Sequence, residues 1–216
     1  MNRIPVRFGL LAVLLVTLLA GCQTTYYDVM EKFGVEKRDL LKKAVTRARD
    51  EQKDAGAEFK DALTRLQQIY GSTGTDLEKT YSKLKSNLER CESEAADVKT
   101  RIKEMDRIAS DLFAEWEGEI SRFSNPAFAS DSRRKLYETR SKYQQLSASL
   151  RNAESKMEPV LISFQDNALY LKHNLNAAAI GSLRGESSHI EAQIQTLISE
   201  MNSSIAEADA FIKTLN

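Results

Sequence analysis

Between Leu77 and Trp116, steps of alternately four and three residues land on Leu77, Tyr81, Leu84, Leu88, Cys91, Ala95, Val98, Ile102, Met105, Ala109, Leu112 and Trp116. Every one of these is apolar or aromatic, and the positions between them are mostly Lys, Glu, Asp, Arg and Ser. A 3.5-residue repeat held this long is a coiled-coil seam: a long helix with one stripe that other helices must cover. Thr75 and Glu78 supply a capping box for its start, after Gly71-Ser72-Thr73-Gly74. Its end falls at Phe123-Ser124-Asn125-Pro126, because the residue before a proline is pushed out of helical geometry.

The flanking segments carry similar stripes. Phe33, Leu41, Ala44, Ala48, Ala55, Phe59, Leu63, Leu66 and Tyr70 predict one helix from about Tyr26 to Tyr70, with Gly34 and Gly56 as its weak points. A third helix should begin near Ser130 or Asp131, both good N-cap types, and bury Leu136, Tyr143, Leu146, Leu150, Ala153, Met157, Val160 and Phe164. Pro159 lies inside this run, where it removes a backbone donor and kinks the helix without having to end it. The stripe then continues through Leu171, Leu175, Ala179, Leu183, Ile190, Ile194, Leu197, Met201, Ile205, Ala208, Ile212 and Leu215.

Two readings of the C-terminal third are open. One is an unbroken helix. The other places a tight turn between His173 and Glu186, where Asn174, Asn176, Gly181 and Gly185 cluster. The turn gives four helices, about 26–70, 75–123, 130–173 and 177–215, each roughly 60 to 70 Å long. Matching lengths let every stripe find a partner in an up-down-up-down arrangement. The expected fold is therefore all-α: an elongated antiparallel helical bundle or coiled coil of three to four long helices, forming one domain over residues 22–216.

Residues 1–21 read differently. Arg3 and Arg7 form a positive stretch without acids, and Phe8 to Ala20 is apolar except for Gly9 and Thr17. That run is short for a spanning helix, which needs about 20 apolar residues. It ends in Leu19-Ala20-Gly21-Cys22, which resembles the lipobox of bacterial lipoproteins. The resemblance implies a signal peptide cut between Gly21 and Cys22, with a diacylglyceryl group on the cysteine thiol and a further acyl chain on its amine. Two or more chains give stable attachment, since each buried methylene contributes about 0.8 kcal/mol. Gln23 stands where an Asp would favour retention in the inner membrane, so the resemblance points to the periplasmic side of the outer membrane.

Removing the two signal arginines from the 31 basic residues leaves 29 against 31 acidic ones. This near-neutral body carries no basic excess for nucleic acid or for broad attraction to anionic lipid. Glycine is scarce, and Pro126 and Pro159 are the prolines after the signal, a composition that suits long helices.

The search for chemistry returns little. With Cys22 acylated, Cys91 is left with a thiol, either as a small seam hydrophobe or as half of an intermolecular disulfide across a dimeric seam. His173 and His189 are sixteen residues apart with no metal-ligand spacing near them, so no metal site is expected. There is no G-x-S-x-G, and Gly71-Ser72-Thr73-Gly74 lacks the Lys-Ser/Thr of a phosphate loop. No catalytic residue and no cofactor beyond the acyl lipid on Cys22 is expected. If the first helix leads away from the membrane and the second returns, the loop after Phe123 lies beside the bilayer. Tyr26, Tyr27, Trp116, Phe123 and Phe128 are then candidates for the membrane interface, with aromatic plugging of the bundle end as the alternative.

Met157-Glu158-Pro159-Val160-Leu161, Leu171-Lys172-His173-Asn174-Leu175-Asn176-Ala177 and Ser204-Ile205-Ala206-Glu207-Ala208-Asp209-Ala210-Phe211-Ile212 resemble segments of an uncharacterised proteobacterial lipoprotein family, the domain of unknown function DUF2959. The resemblance covers nearly all of the mature chain. It implies lipidation and a helical body, and no activity, substrate or cofactor. The expected role is a structural, scaffolding or interaction module of the cell envelope, with an envelope protein or a second copy as partner. An envelope-polymer enzyme using carboxylates between helices, or a coiled coil that shapes membranes, are the alternatives. The enzyme needs a buried carboxylate pair at a concavity, and the membrane-shaping reading needs a basic concave face.

Overall fold

A computed structural model describes residues 37–71, 77–174 and 177–215. Five helices follow in order: α1 (Lys37–Gly71), α2 (Leu77–Ile120), α3 (Pro126–Ser155), α4 (Met157–His173) and α5 (Ala177–Thr214). Among the described residues there is no strand. Leu41 onward forms one compact unit, which leaves out the first turn of α1.

The direction of each helix follows from its cross-helix partners. Along α1, Glu51, Glu58 and Asp61 face Arg101, Arg90 and Asn87 of α2, so the two run antiparallel. Arg49, Gln52 and Gln67 face Asp209, Ser204 and Glu191 of α5, again antiparallel. Gln52 also reaches the Leu150 carbonyl and Tyr70 reaches Asn167, so α1 is parallel to α3 and α4 across the centre. The α3–α4 pair packs on both α2 and α5. This is an up-down-up-down four-helix bundle in which α3 and α4 together form the third member. The pairing of Ser163 in α4 with Gln193 in α5 settles the C-terminal question: the chain reverses after His173.

The core follows the stripes that the periodicity marks, with Ala95, Ile205 and Ile212 half-buried among them and Val45, Ala62 and Ile108 buried beside them. Leu84, Leu88, Cys91, Val98, Ile102, Met105 and Ala109 of α2 are buried. Toward its C-terminus the seam drifts: Phe113 and Ile120 are buried, while Leu112 and Trp116 are half-buried. A nearly straight α-helix rotates about 20° per heptad against a strict 3.5 repeat, and over this many heptads that moves the seam one residue round.

Three boundaries differ from expectation. The second helix ends at Ile120, not Phe123. The third begins at Pro126, not near Ser130. Pro126 occupies the first helical position, where its missing N–H costs nothing, and the Asn125 side chain caps the Ala127 N–H at 2.9 Å. The third helix is also interrupted at Lys156, where the Lys156 N–H turns back to the Ala153 carbonyl. Pro159 is the cause: its ring collides with the carbonyl four residues earlier, that of Ser155, the last residue of α3. The expected capping box at Thr75, and the expected first-helix residues 26–36, lie outside the described residues.

Candidate functional site

Gly21, Cys22, Tyr26 and Tyr27 lie outside the described residues. The other singled-out positions can be placed. Cys91 sits on the inner face of α2 with none of its surface exposed. Burial, reinforced by the charge of Glu58, pushes its thiol up to about 12. At neutral pH it is a protonated, enclosed thiol that packs as a small hydrophobe. A bridge to a second chain through this sulfur would require the bundle to open first.

The α2–α3 turn separates the aromatics. Trp116 is half-buried and its indole N–H donates to Ser132 Oγ at 2.8 Å, tying α2 to α3. Phe113 and Tyr143 close the interior behind it, edge to face at 5.6 Å, and Tyr143 meets Phe211 of α5 at 5.8 Å. Phe123 and Phe128 do the opposite: 46% and 63% of their surface is exposed. Phe113, Tyr143 and Phe211 thus fill the interior, and the turn phenylalanines do not. The segment from Ser121 to Ser130 holds a single charged residue, Arg122, in a chain that is 29% charged.

Inside the bundle are polar groups that periodicity does not reveal. Gln52, fully buried, donates to the Leu150 carbonyl at 3.0 Å and accepts from Ser204 Oγ, so one side chain of α1 touches α3 and α5 together. Asp106 of α2 accepts from Tyr143 Oη at 2.5 Å, Ser147 Oγ at 2.8 Å and the Arg151 guanidinium. Those donors stand at successive four-residue steps of α3 and form one face. Burial and the Asp106 hydrogen bond raise the pKa of the Tyr143 phenol.

Among the described residues, no Asp or Glu is buried; the buried polar ones are Gln52, Asn87, Asn167 and Ser204. An open groove of about 820 Å³ runs between α3 and α5, floored by Leu146 and Phe211. Glu200 and Glu207 line it, seven residues apart on one helix and so about 10 Å apart along its axis. Glu200 accepts from Asn152 Nδ2 at 2.7 Å. The groove thus holds two outward carboxylates and no buried pair. Among the described residues no group of three metal-ligating side chains converges, and no helix is long and apolar enough to cross a membrane. His173, the last residue of α4, and His189 in α5 are both exposed.

Comparison with curated proteins and with solved structures finds no match. A family model does match, over residues 26–215, from the approach to α1 through the end of α5. Since that span takes in nearly the whole helical body, the chain belongs to the family described as Protein of unknown function (DUF2959).

Proposed function

We propose that this chain is a lipoprotein of the bacterial cell envelope, held on the periplasmic side of the outer membrane by acyl chains on Cys22. Its bundle serves as a scaffolding or protein-interaction module. The observation that carries the reading is Leu19-Ala20-Gly21-Cys22 at the end of an apolar, acid-free leader. The body fits that role. Its apolar stripes are covered within one chain, and its outer faces interleave both signs of charge, as in Arg90 with Glu58 and Arg101 with Glu51. A self-contained bundle of this kind can present its surface to another protein without unfolding.

Labelling of growing cells with a palmitate analogue, followed by separation of inner and outer membranes, tests the reading. The wild-type chain should carry label and fractionate with the outer membrane. A Cys22→Ala chain should carry none and keep its signal peptide. Equal labelling of the two chains would overturn the proposal. Crosslinking of the lipidated protein in intact cells should capture an envelope protein or a second copy at the bundle surface.

A further inference from the structure

We infer that Phe123 and Phe128, at the α2–α3 turn, dip into the lipid interface of the bilayer that holds Cys22, so that the bundle meets the membrane end-on. The inference rests on the lipoprotein reading above.

Exposure alone does not choose this surface. The opposite end of the bundle has its own uncovered side chains on α4, Leu169 at 59% and Tyr170 at 41%. What chooses is where the chain enters. Arg47 pairs with Glu104 and Arg49 with Asp209, so α1 enters the unit beside the C-terminal parts of α2 and α5. The α2–α3 turn, with Phe123 and Phe128, is at that same end. Tyr70 lies about 44 Å further along α1 from Leu41, beside Asn167 of α4. Nineteen residues link Cys22 to Leu41. Lys37 to Leu41 are already helical, so the fifteen residues up to Lys37 span roughly 23 Å if helical and at most about 51 Å if fully drawn out, against about 50 Å from Lys37 to the level of Tyr70. The near end can therefore touch the bilayer with a linker that simply runs beside the α2–α3 hairpin or folds back on itself, whereas the far end reaches it only with the linker almost fully stretched and doubled back along the bundle.

The chemistry of the turn suits the lipid interface. Two phenylalanines flank Ser124, Asn125 and Pro126, and the one charge between Ser121 and Ser130 is a cation. The nearest acid beyond the turn, Asp131, is held by Arg134 and Lys135, which keep its carboxyl below the usual range. Trp116, bonded to Ser132, and Tyr137, about 14 Å along α3 from Phe128 and half a turn round it, are not part of the contact.

The test uses the full lipidated chain in phosphatidylethanolamine–phosphatidylglycerol vesicles, with and without brominated acyl chains. Trp116→Phe removes the native fluorophore. Phe123→Trp, Phe128→Trp or, at the far end, Tyr170→Trp then adds a single reporter. Circular dichroism confirms that each variant keeps its helices. The two turn reporters should lose emission to brominated lipid, and the Tyr170→Trp reporter should not. If the chain floats with vesicles yet neither turn reporter is quenched, the anchor reading stands and this inference fails. Quenching at position 170 instead would reverse the orientation and overturn it. Turn reporters shielded from aqueous iodide but untouched by brominated lipid would show a protein occupant, such as a second copy, and overturn it too. A chain that does not float at all would remove the anchor and the inference together.

Discussion

Replacing Asp106 with alanine should cost more than any other single surface-proximal change in this bundle. The carboxylate takes three donors from one face of α3, and their loss can be apportioned. Arg151 is more than half exposed, so its ion pair contributes about 0.5 kcal/mol. The half-buried Ser147 hydroxyl contributes about 0.5 to 1 kcal/mol. Tyr143 is only 7% exposed, and stranding its hydroxyl costs about 1 to 3 kcal/mol of desolvation with no return. The total is about 3 kcal/mol, which for a chain of this size lowers the melting temperature by roughly 6 to 12 °C. Tyr143→Phe removes the stranded group instead of its partner and should cost about 1 kcal/mol, since Asp106 keeps two donors. In that background Asp106→Ala should cost only about 1 to 1.5 kcal/mol, leaving a coupling of about 1.5 to 2 kcal/mol. Urea unfolding of the four chains at pH 7 closes the cycle. A coupling within about 0.5 kcal/mol of zero would refute the assignment of Asp106 as the acceptor for the buried phenol.

Three further outcomes follow from named contacts. Gly56→Ala places a methyl 3.3 Å from Met201 Sδ and 3.7 Å from Ile198 Cδ1. The thioether can shift by that little while the helix gains about 1 kcal/mol of propensity, so denaturant midpoints should rise slightly, whereas Gly56→Leu should lower stability by about 2 kcal/mol or more. Ser204→Ala strands the buried Gln52 Oε1 and should cost about 1 to 2 kcal/mol, while Gln52→Leu, which removes the need along with the group, should stay within about 1 kcal/mol of wild type in thermal unfolding. Cys91 should react with a thiol reagent at neutral pH only as fast as the bundle unfolds; its folded pKa of about 12 lies above the ordinary 9.0, so its stabilisation is intact below pH 9 and is lost as pH rises toward 12. Cys91→Ala should therefore lose stability less steeply between pH 9 and 11 than wild type, and equal slopes would contradict the assignment.

Much of this architecture is legible in the sequence, and the losses have identifiable causes. The seam positions from Leu84 to Ala109 are buried as their spacing demands, apart from the half-buried Ala95, because burial of a stripe depends mainly on local period. Leu112 and Trp116 yield to Phe113 and Ile120 because the repeat is read at 3.5 and the helix turns at 3.6. The start of α3 was written in Asn125-Pro126, a cap followed by a first-turn proline, which the search for a Ser or Asp cap passes over. The choice between a turn and an unbroken last helix could not come from periodicity, since both readings keep the stripe in phase. It needed the contact between Ser163 and Gln193. Gln52 and Asp106 were invisible for a related reason. A glutamine or aspartate beside a seam looks like solvated surface until the register of a helix far along the chain puts Leu150 or Tyr143 opposite it.

The paired register of α1 with both α2 and α5 also limits how such a bundle can change length. A single residue inserted into α1 between Gln52 and Tyr70 would rotate everything beyond it by about 100°, separating Tyr70 from Asn167 and Gln67 from Glu191 at one stroke. Whole heptads are the smallest insertions that keep the stripe facing inward, and four helices must receive them at the same level. On the proposed anchoring at Cys22, relatives whose bundles reach a different height should thus differ by multiples of seven residues in all four legs, and not by a longer linker after that cysteine.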